Sequence, residues 1–194
     1  MSDLSTYAAT EILRDGSTIA IRAIRPDDKE RLLAHFLHLS PQSVYYRFMG
    51  IKRSLGEDDL RRLTELDFQE HVGLAATLGS GADERFIGVG RYFRNGPNHA
   101  EVAFAVLDDH QGRGIGTLLL HHLVRIATSQ SIQMFSALVM GSNAQMLEVF
   151  ADSGFHLHDS HDAGMVRVRL DLGDSSGKAH GIPWLDDPAT RRKT

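Results

Sequence analysis

The 194-residue chain contains no cysteine. Disulfides and a cysteine nucleophile are therefore excluded, and the composition is compatible with a reducing compartment. Long apolar runs are also missing: nothing approaches the roughly 18 residues of a membrane span. Met1 to Thr10 is polar and lacks the apolar stretch of a secretory signal. Excess charge is small, with a net value of −4 when histidine is neutral. No general attraction to nucleic acid or to an anionic membrane follows from that balance. Hydrophobic content of 42% and charged content of 24% are ordinary for a globular protein, and the length suits one domain with a substantial core. Together these absences predict a cytoplasmic protein that binds neither nucleic acid nor membrane.

What the chain does have is a glycine-rich stretch, Asp108-Asp109-His110-Gln111-Gly112-Arg113-Gly114-Ile115-Gly116-Thr117. An apolar, strand-like run from Glu101 to Leu107 leads into it, and a helical pattern from about Ile115 leads out. Free amides at a helix start and the positive end of the helix dipole favour an anion there, phosphate above all. Two better-known phosphate loops do not fit. A P-loop needs a Gly-Lys-Ser/Thr ending that is absent here. The dinucleotide fingerprint needs a third glycine that does not follow Gly116. Taken alone, three glycines in five residues also describe a plain turn.

Apolar periodicity places the remaining elements. Thr18 to Ile24 alternates as a first strand, and Pro26 opens a helix with Leu32, Leu33, Phe36 and Leu37 on one stripe. Ser40-Pro41 ends it and starts another turn, and a short helix lies within Leu55 to Leu66. Val72 to Leu78 and Phe86 to Phe93 read as strands of a hairpin, followed after Asn95-Gly96-Pro97-Asn98 by the strand that enters the glycine loop. Ile115, Leu118, Leu119, Leu123, Ile126 and Ala127 recur at helical spacing. Met134 to Val139 is then a strand, Asn143 opens a helix that ends near Gly154, and Phe155 to His158 with Met165 to Leu172 forms a last hairpin. The result is an α/β (α+β) fold with a mixed sheet of six to seven strands, lacking the regular alternation of a doubly wound domain. Residues 1–10 are expected to be a flexible lead. Residues 173–194, which include Trp184, are expected to be a flexible tail.

Gln111-Gly112-Arg113-Gly114-Ile115-Gly116 matches the Q/R-x-x-G-x-G/A signature of the GNAT N-acetyltransferases, and the chain resembles that superfamily well beyond the loop. Ala100 to Val106 resembles the family's fourth strand. Asn143 to Phe150 followed by Gly154-Phe155 resembles its later asparagine helix and the strand after it. Leu13 to Gly16, Ile21 to Asp28 and Leu39 to Phe48 extend the likeness to the acetyltransferase domain of bacterial Pat-type protein lysine acetyltransferases, over residues 11–172. This resemblance implies a GNAT fold and acetyl-CoA as donor, with no metal. Backbone groups of Ala105 and Val106 would hold the pantetheine arm. The amides of Gln111, Gly112, Arg113, Gly114, Ile115, Gly116 and Thr117 would take the diphosphate, with the Arg113 side chain as an added cation. Asn143 would touch the cofactor arm, although a plain helix cap explains it as well. The acceptor would be a reactive lysine on a protein, acyl-CoA synthetases among the candidates, or a small amine. A non-catalytic acyl-CoA-binding regulator is the alternative from another class. The protein is expected as a monomer or homodimer.

A lysine amine at pH 7 must lose a proton before it attacks, which costs about 4–5 kcal/mol for an ordinary pKa near 10.4. A positioned carboxylate takes that proton. Glu101 is the candidate, because it begins an otherwise apolar strand where nothing in the pattern needs a charge. The resemblance puts a general-base glutamate there, ten positions before Gln111; an edge residue facing solvent is the other reading. Many relatives carry a tyrosine on the last helix to protonate the departing thiolate. This chain has Phe150 instead, and Tyr45, Tyr46 and Tyr92 are the conceivable substitutes. His156, His158 and His161 with Asp159 and Asp162 could be written as a metal site, but no standard ligand spacing flanks them, and a solvated hairpin is the better reading.

Overall fold

The computed structural model describes residues 3–173. Most of the expected tail, Trp184 included, lies outside the described residues. One eight-stranded sheet forms the body. Its strands are β1 (Ala8–Ile12), β2 (Thr18–Ala23), β3 (His71–Leu78), β4 (Arg85–Arg94), β5 (His99–Val106), β6 (Met134–Met140), β7 (His156–Asp162) and β8 (Met165–Asp171). They lie in the order β1-β2-β3-β4-β5-β6-β8-β7. Every neighbouring pair is antiparallel except β5 and β6. That parallel pair is the key to the site. It holds for three residues only, His99 to Glu101 against Met134 to Ser136, and then the strands part.

Five α-helices flank the sheet: α1 (Lys29–His38), α2 (Pro41–Phe48), α3 (Glu57–Thr64), α4 (Ile115–Ser129) and α5 (Ala144–Ala151). Helix α4 is apolar over most of its circumference and is buried from Ile115 to Ala127 at ten positions. It sits close to the sheet because β4 presents glycines to it. A Cβ on Gly88 would lie 2.9 Å from Ile115 Cγ2, and one on Gly90 would lie 2.9 Å from the Phe104 ring and 3.2 Å from Leu119 Cβ. The missing side chains set the depth of the helix, and so the height of its N-terminus over the end of β5. On the other face of the sheet, α1 packs against β4 and α3 packs against α1. A buried ion-pair cluster braces that side: Arg22 is paired bidentately with Asp28, at 2.7 and 2.8 Å, and with Glu84 at 2.6 Å.

Two differences from the sequence reading stand out. Residues 4–12, taken largely as a flexible lead, carry a 3-10 turn (Leu4–Thr6) and strand β1. Ala-Ala-Thr-Glu-Ile has little strand character of its own; the strand exists because it pairs along β2. Side chains then tie the segment to α4, with the Tyr7 hydroxyl 2.5 Å from His122 Nδ1 and Glu11 3.0 Å from His122 Nε2. The other difference is in the last hairpin, whose first strand runs on through polar His158 to Asp162. These residues are exposed at the sheet edge, where hydrogen bonding to β8, not burial, makes the strand.

Candidate active site

Beyond Glu101 and Ser136 the parting of β5 and β6 opens a cavity of about 310 Å³. Its walls are Val102 to Val106 on one side and Ala137 to Val139 on the other, with α2 and α5 closing it and the start of α4 at one end. The glycine loop forms that end. Gly112 and Gly114 have φ of +73° and +89°, in the left-handed region where a side chain is strained. They turn the chain so that α4 begins pointing at the cavity. Gly114 caps α4 without a side-chain hydrogen bond, and no acidic residue occupies the first turn. The amides of Ile115, Gly116 and Thr117 thus have neither an intrahelical acceptor nor a capping oxygen. A Cβ on Gly116 would meet Val149 Cγ2 at 3.0 Å, so glycine also allows α5 to close on this turn. The residues fit a diphosphate on a long thin arm: an uncapped helix start with a slot between strands running away from it.

The loop is anchored to α2. Asp108 accepts from the Ser40 amide at 2.9 Å, from Ser40 Oγ at 2.7 Å and from Ser43 Oγ at 2.8 Å. Burial pushes the Asp108 carboxyl up, but these hydrogen bonds outweigh it and hold its pKa below the usual range. Ser40 at the same time caps α2, accepting from the Ser43 amide. Gln111 Nε2 donates to the Val106 carbonyl at 3.0 Å and reaches Ser43 Oγ at 3.4 Å. The side chain of Gln111 therefore ties strand end, loop and helix together, and the Val106 carbonyl is engaged by it.

Of the residues singled out in the sequence, Ala105, Val106, Gln111 and Gly112 line this cavity. So do Gly114, Ile115, Gly116, Thr117 and Asn143. Arg113 does not: its guanidinium pairs with Asp15 at 3.4 Å and donates to the Asp109 carbonyl at 3.2 Å. The cation beside the loop is Arg14, from the turn between β1 and β2, whose Nε lies 3.7 Å from where a Cβ on Gly114 would stand. Sequence reasoning gave Arg14 no role, since no local pattern links it to a loop a hundred residues later. Asn143 caps α5, its Oδ1 accepting from the Met146 amide at 3.2 Å, and faces the cavity as well.

Glu101 is exposed, at the last paired position before the strands diverge, immediately ahead of the cavity wall that starts at Val102. Alternation puts Glu101, Ala103 and Ala105 on the sheet face opposite Phe104 and Val106, which lie on the α4 side. Phe150 is 1% exposed, stands edge-on to Phe104 at 6.2 Å and has no proton to give. Among the tyrosines considered as substitutes, Tyr46 alone lines the cavity, and its hydroxyl donates to the Ser142 carbonyl at 3.0 Å. Tyr92 is buried and donates to Gln130, while Tyr45 faces solvent. Among the described residues no three His, Asp or Glu side chains are grouped to hold an ion.

Burial dominates the titration of the histidines on the α1 and α3 side. It pushes His35 down to about 4, aided by the Arg91 charge and opposed by a hydrogen bond with the Ala105 backbone. His71 is pushed down to about 3, again by burial and by Arg91. Both are neutral at pH 7. A histidine whose folded pKa lies below the unfolded value of about 6.5 contributes fully above that pH and costs stability as pH falls through the gap. The urea midpoint is therefore expected to drop between about pH 6.5 and 4.5, before the carboxylates titrate. His35→Leu should flatten that slope; an unchanged slope in the variant would place the effect elsewhere.

A mixed sheet whose one parallel pair splays over an uncapped, glycine-led helix start defines a coenzyme A-dependent acyl transferase site. The sequence profile of the acetyltransferase (GNAT) family matches residues 42–155, more than half of the chain. This chain belongs to that family, whose acetyl donor is acetyl-CoA. It is 40% identical to the GNAT domain of S. lividans PAT, covering 84% of this chain and 96% of that one with a TM-score of 0.78. An acetyltransferase of Pseudomonas aeruginosa is 28% identical over 84% of this chain and 88% of its own length. Acetyltransferase Pat of Mycolicibacterium smegmatis is 33% identical over 82% of this chain but 47% of its own length. The chain thus spans about half of that relative.

Proposed function

We propose that this acetyltransferase transfers the acetyl group to a lysine side chain of a protein, in the cytoplasm, with Glu101 as general base. The observation that supports the chemistry is the uncapped helix start at one end of the splayed strands, with Glu101 at their last paired position, just ahead of the cavity wall that begins at Val102. The likeness to Pat-type domains supports the protein acceptor.

Acetyl-CoA supplies a carbonyl already activated as a thioester, so no covalent enzyme intermediate is needed. The loop amides and Arg14 hold the diphosphate, and the backbone of Ala105 and Val106 guides the arm between the strands. Glu101, directly or through a water, takes the proton from the acceptor ammonium. The amine forms the new C–N bond as the C–S bond breaks. The departing thiolate, with a thiol pKa of about 8.5 by analogy with cysteine, leaves without an obligatory proton donor. That is consistent with Phe150 on α5, and Tyr46 is the phenol within the same cavity.

The test is incubation of the purified protein with labelled acetyl-CoA and three acceptor sets: native protein extract, lysine peptides and small amines. Acetyl-lysine on particular proteins, mapped by mass spectrometry above an uncatalysed control, is expected. Turnover of small amines with no protein acetylation would overturn the protein acceptor and leave the transferase chemistry intact.

A further inference from the structure

Two arginines on the Glu101 side of the sheet, Arg47 and Arg91, form no ion pair among the described residues. Arg91, on β4, is 2% exposed, and its Nη1 donates to the Leu63 carbonyl at 3.3 Å and to His71 Nε2 at 3.2 Å. No carboxylate lies within ion-pair distance of it among the described residues. Arg47, on α2, is partly exposed, makes no hydrogen bond or ion pair among the described residues and stacks over the Phe48 ring at 5.2 Å. Burial draws the Arg47 pKa down, and Glu101 is the one acid whose charge pulls it back up. Arg91 is pushed down to about 9, by burial first and then by Arg47 and Arg62. Arg62 is itself turned to Asp59.

Arg47 and Arg91 both line a small chamber of about 30 Å³ between α1, α2 and the β4–β5 face. Its other walls are apolar except for His35, which is 4% exposed and whose Nε2 has no hydrogen-bond partner. Arg47 and Ala105 line both this chamber and the large cavity, so the two spaces adjoin. A buried charge without a counter-ion, as at Arg91, is expensive, and an orphaned ring nitrogen adds to the cost. Elsewhere this protein pairs its buried arginine: Arg22 has two carboxylates. The unpaired charge gathers at this chamber, which meets the large cavity at Arg47 and Ala105.

We propose that Arg47 and Arg91 form a carboxylate subsite for the acceptor, so that the amine presented to Glu101 belongs to a molecule carrying a carboxylate close by. Resting on the protein-lysine reading, the carboxylate is that of an Asp or Glu next to the target lysine. The α-carboxylate of a free amino acid offers the same chemistry. A guanidinium pair takes a carboxylate with charge-assisted hydrogen bonds, which fixes position as well as charge.

The experiment compares matched acceptors on the wild-type protein and on Arg47→Gln. Lysine peptides with Asp or Glu beside the lysine are set against the same peptides with Asn or Gln, and free amino acids against their amides. In the wild type the carboxylate form is expected to have a kcat/KM higher by about tenfold or more, mostly through KM. In Arg47→Gln the ratio is expected to fall towards one, whatever the overall rate; Arg91→Met gives the same reading if it folds, and the wild-type ratios stand without it. Equal turnover of lysine peptides with and without the acid overturns the subsite and leaves the protein acceptor standing. A carboxylate preference seen with free amino acids alone upholds the subsite and overturns the protein acceptor. No turnover of any carboxylate-bearing acceptor overturns the subsite.

Discussion

Glu101→Gln is expected to lower kcat at pH 7 by about 10²–10⁴-fold, the usual worth of a positioned general base. Acetyl-CoA affinity by calorimetry should stay nearly constant. The two halves of that result come from different places. In the proposed mechanism the diphosphate sits at the start of α4, whereas Glu101 stands where β5 and β6 stop pairing, ahead of the cavity wall. Glutamine keeps the size and hydrogen-bonding reach of the side chain, and an exposed position tolerates it without a folding cost. What it removes is the ability to take a proton. The neutral fraction of a free lysine amine at pH 7 is then about 10⁻³·⁴, set by its own pKa near 10.4. The residual rate should therefore climb with pH as the amine deprotonates unaided, and the gap to wild type should narrow towards pH 10. Rates that match the wild type across this range would remove Glu101 from the chemistry.

The parts of this site that could be read in the sequence are those set by neighbours along the chain. Gln111 to Gly116 is one such part: the left-handed turns and the helix start both follow from glycines within a few residues. The periodicity of α4 is another, since an apolar stripe fixes which side meets the sheet. Asn143 was legible as a cap for the same reason. The rest depends on residues brought together from afar. Arg14 borders the glycine loop because β1 and β2 fold across the start of α4, and a polar turn gives no hint of that. Arg113, adjacent in sequence and apparently ideal, is drawn away by Asp15. Arg91 looks like an ordinary outward residue of an alternating strand, yet α1 and α3 cover that face and bury it. Strand β1 escaped notice since edge pairing and the Tyr7–His122 contact make it, not its own composition. Local conformation is encoded locally; which cation meets which anion is decided by packing.

Gly114→Ala should produce the complementary defect, raising Kd for acetyl-CoA by about 10²-fold while kcat at saturating donor falls far less. Gly114 stands at φ +89°, and an L-residue there is strained by about 1–2 kcal/mol. Space is not the obstacle, for the nearest atom to an added Cβ is Arg14 Nε at 3.7 Å. The loop relieves the strain by rotating its peptide planes, which turns the amides on either side of position 114 away from the cavity. Hydrogen bonds to a charged group are worth about 1.5–3 kcal/mol each, so losing one or two accounts for the expected change. Gly81→Ala is the control for backbone strain alone. Gly81 also has a positive φ, +60°, with open space around a Cβ, but it lies in the turn Gly81–Asp83 between β3 and β4. It should lower the urea midpoint to a similar degree and leave acetyl-CoA binding untouched. If both variants bind acetyl-CoA as the wild type does, the amides at the start of α4 do not hold the diphosphate. The cavity would then need another explanation for its uncapped helix, its two left-handed glycines and the arginine beside them.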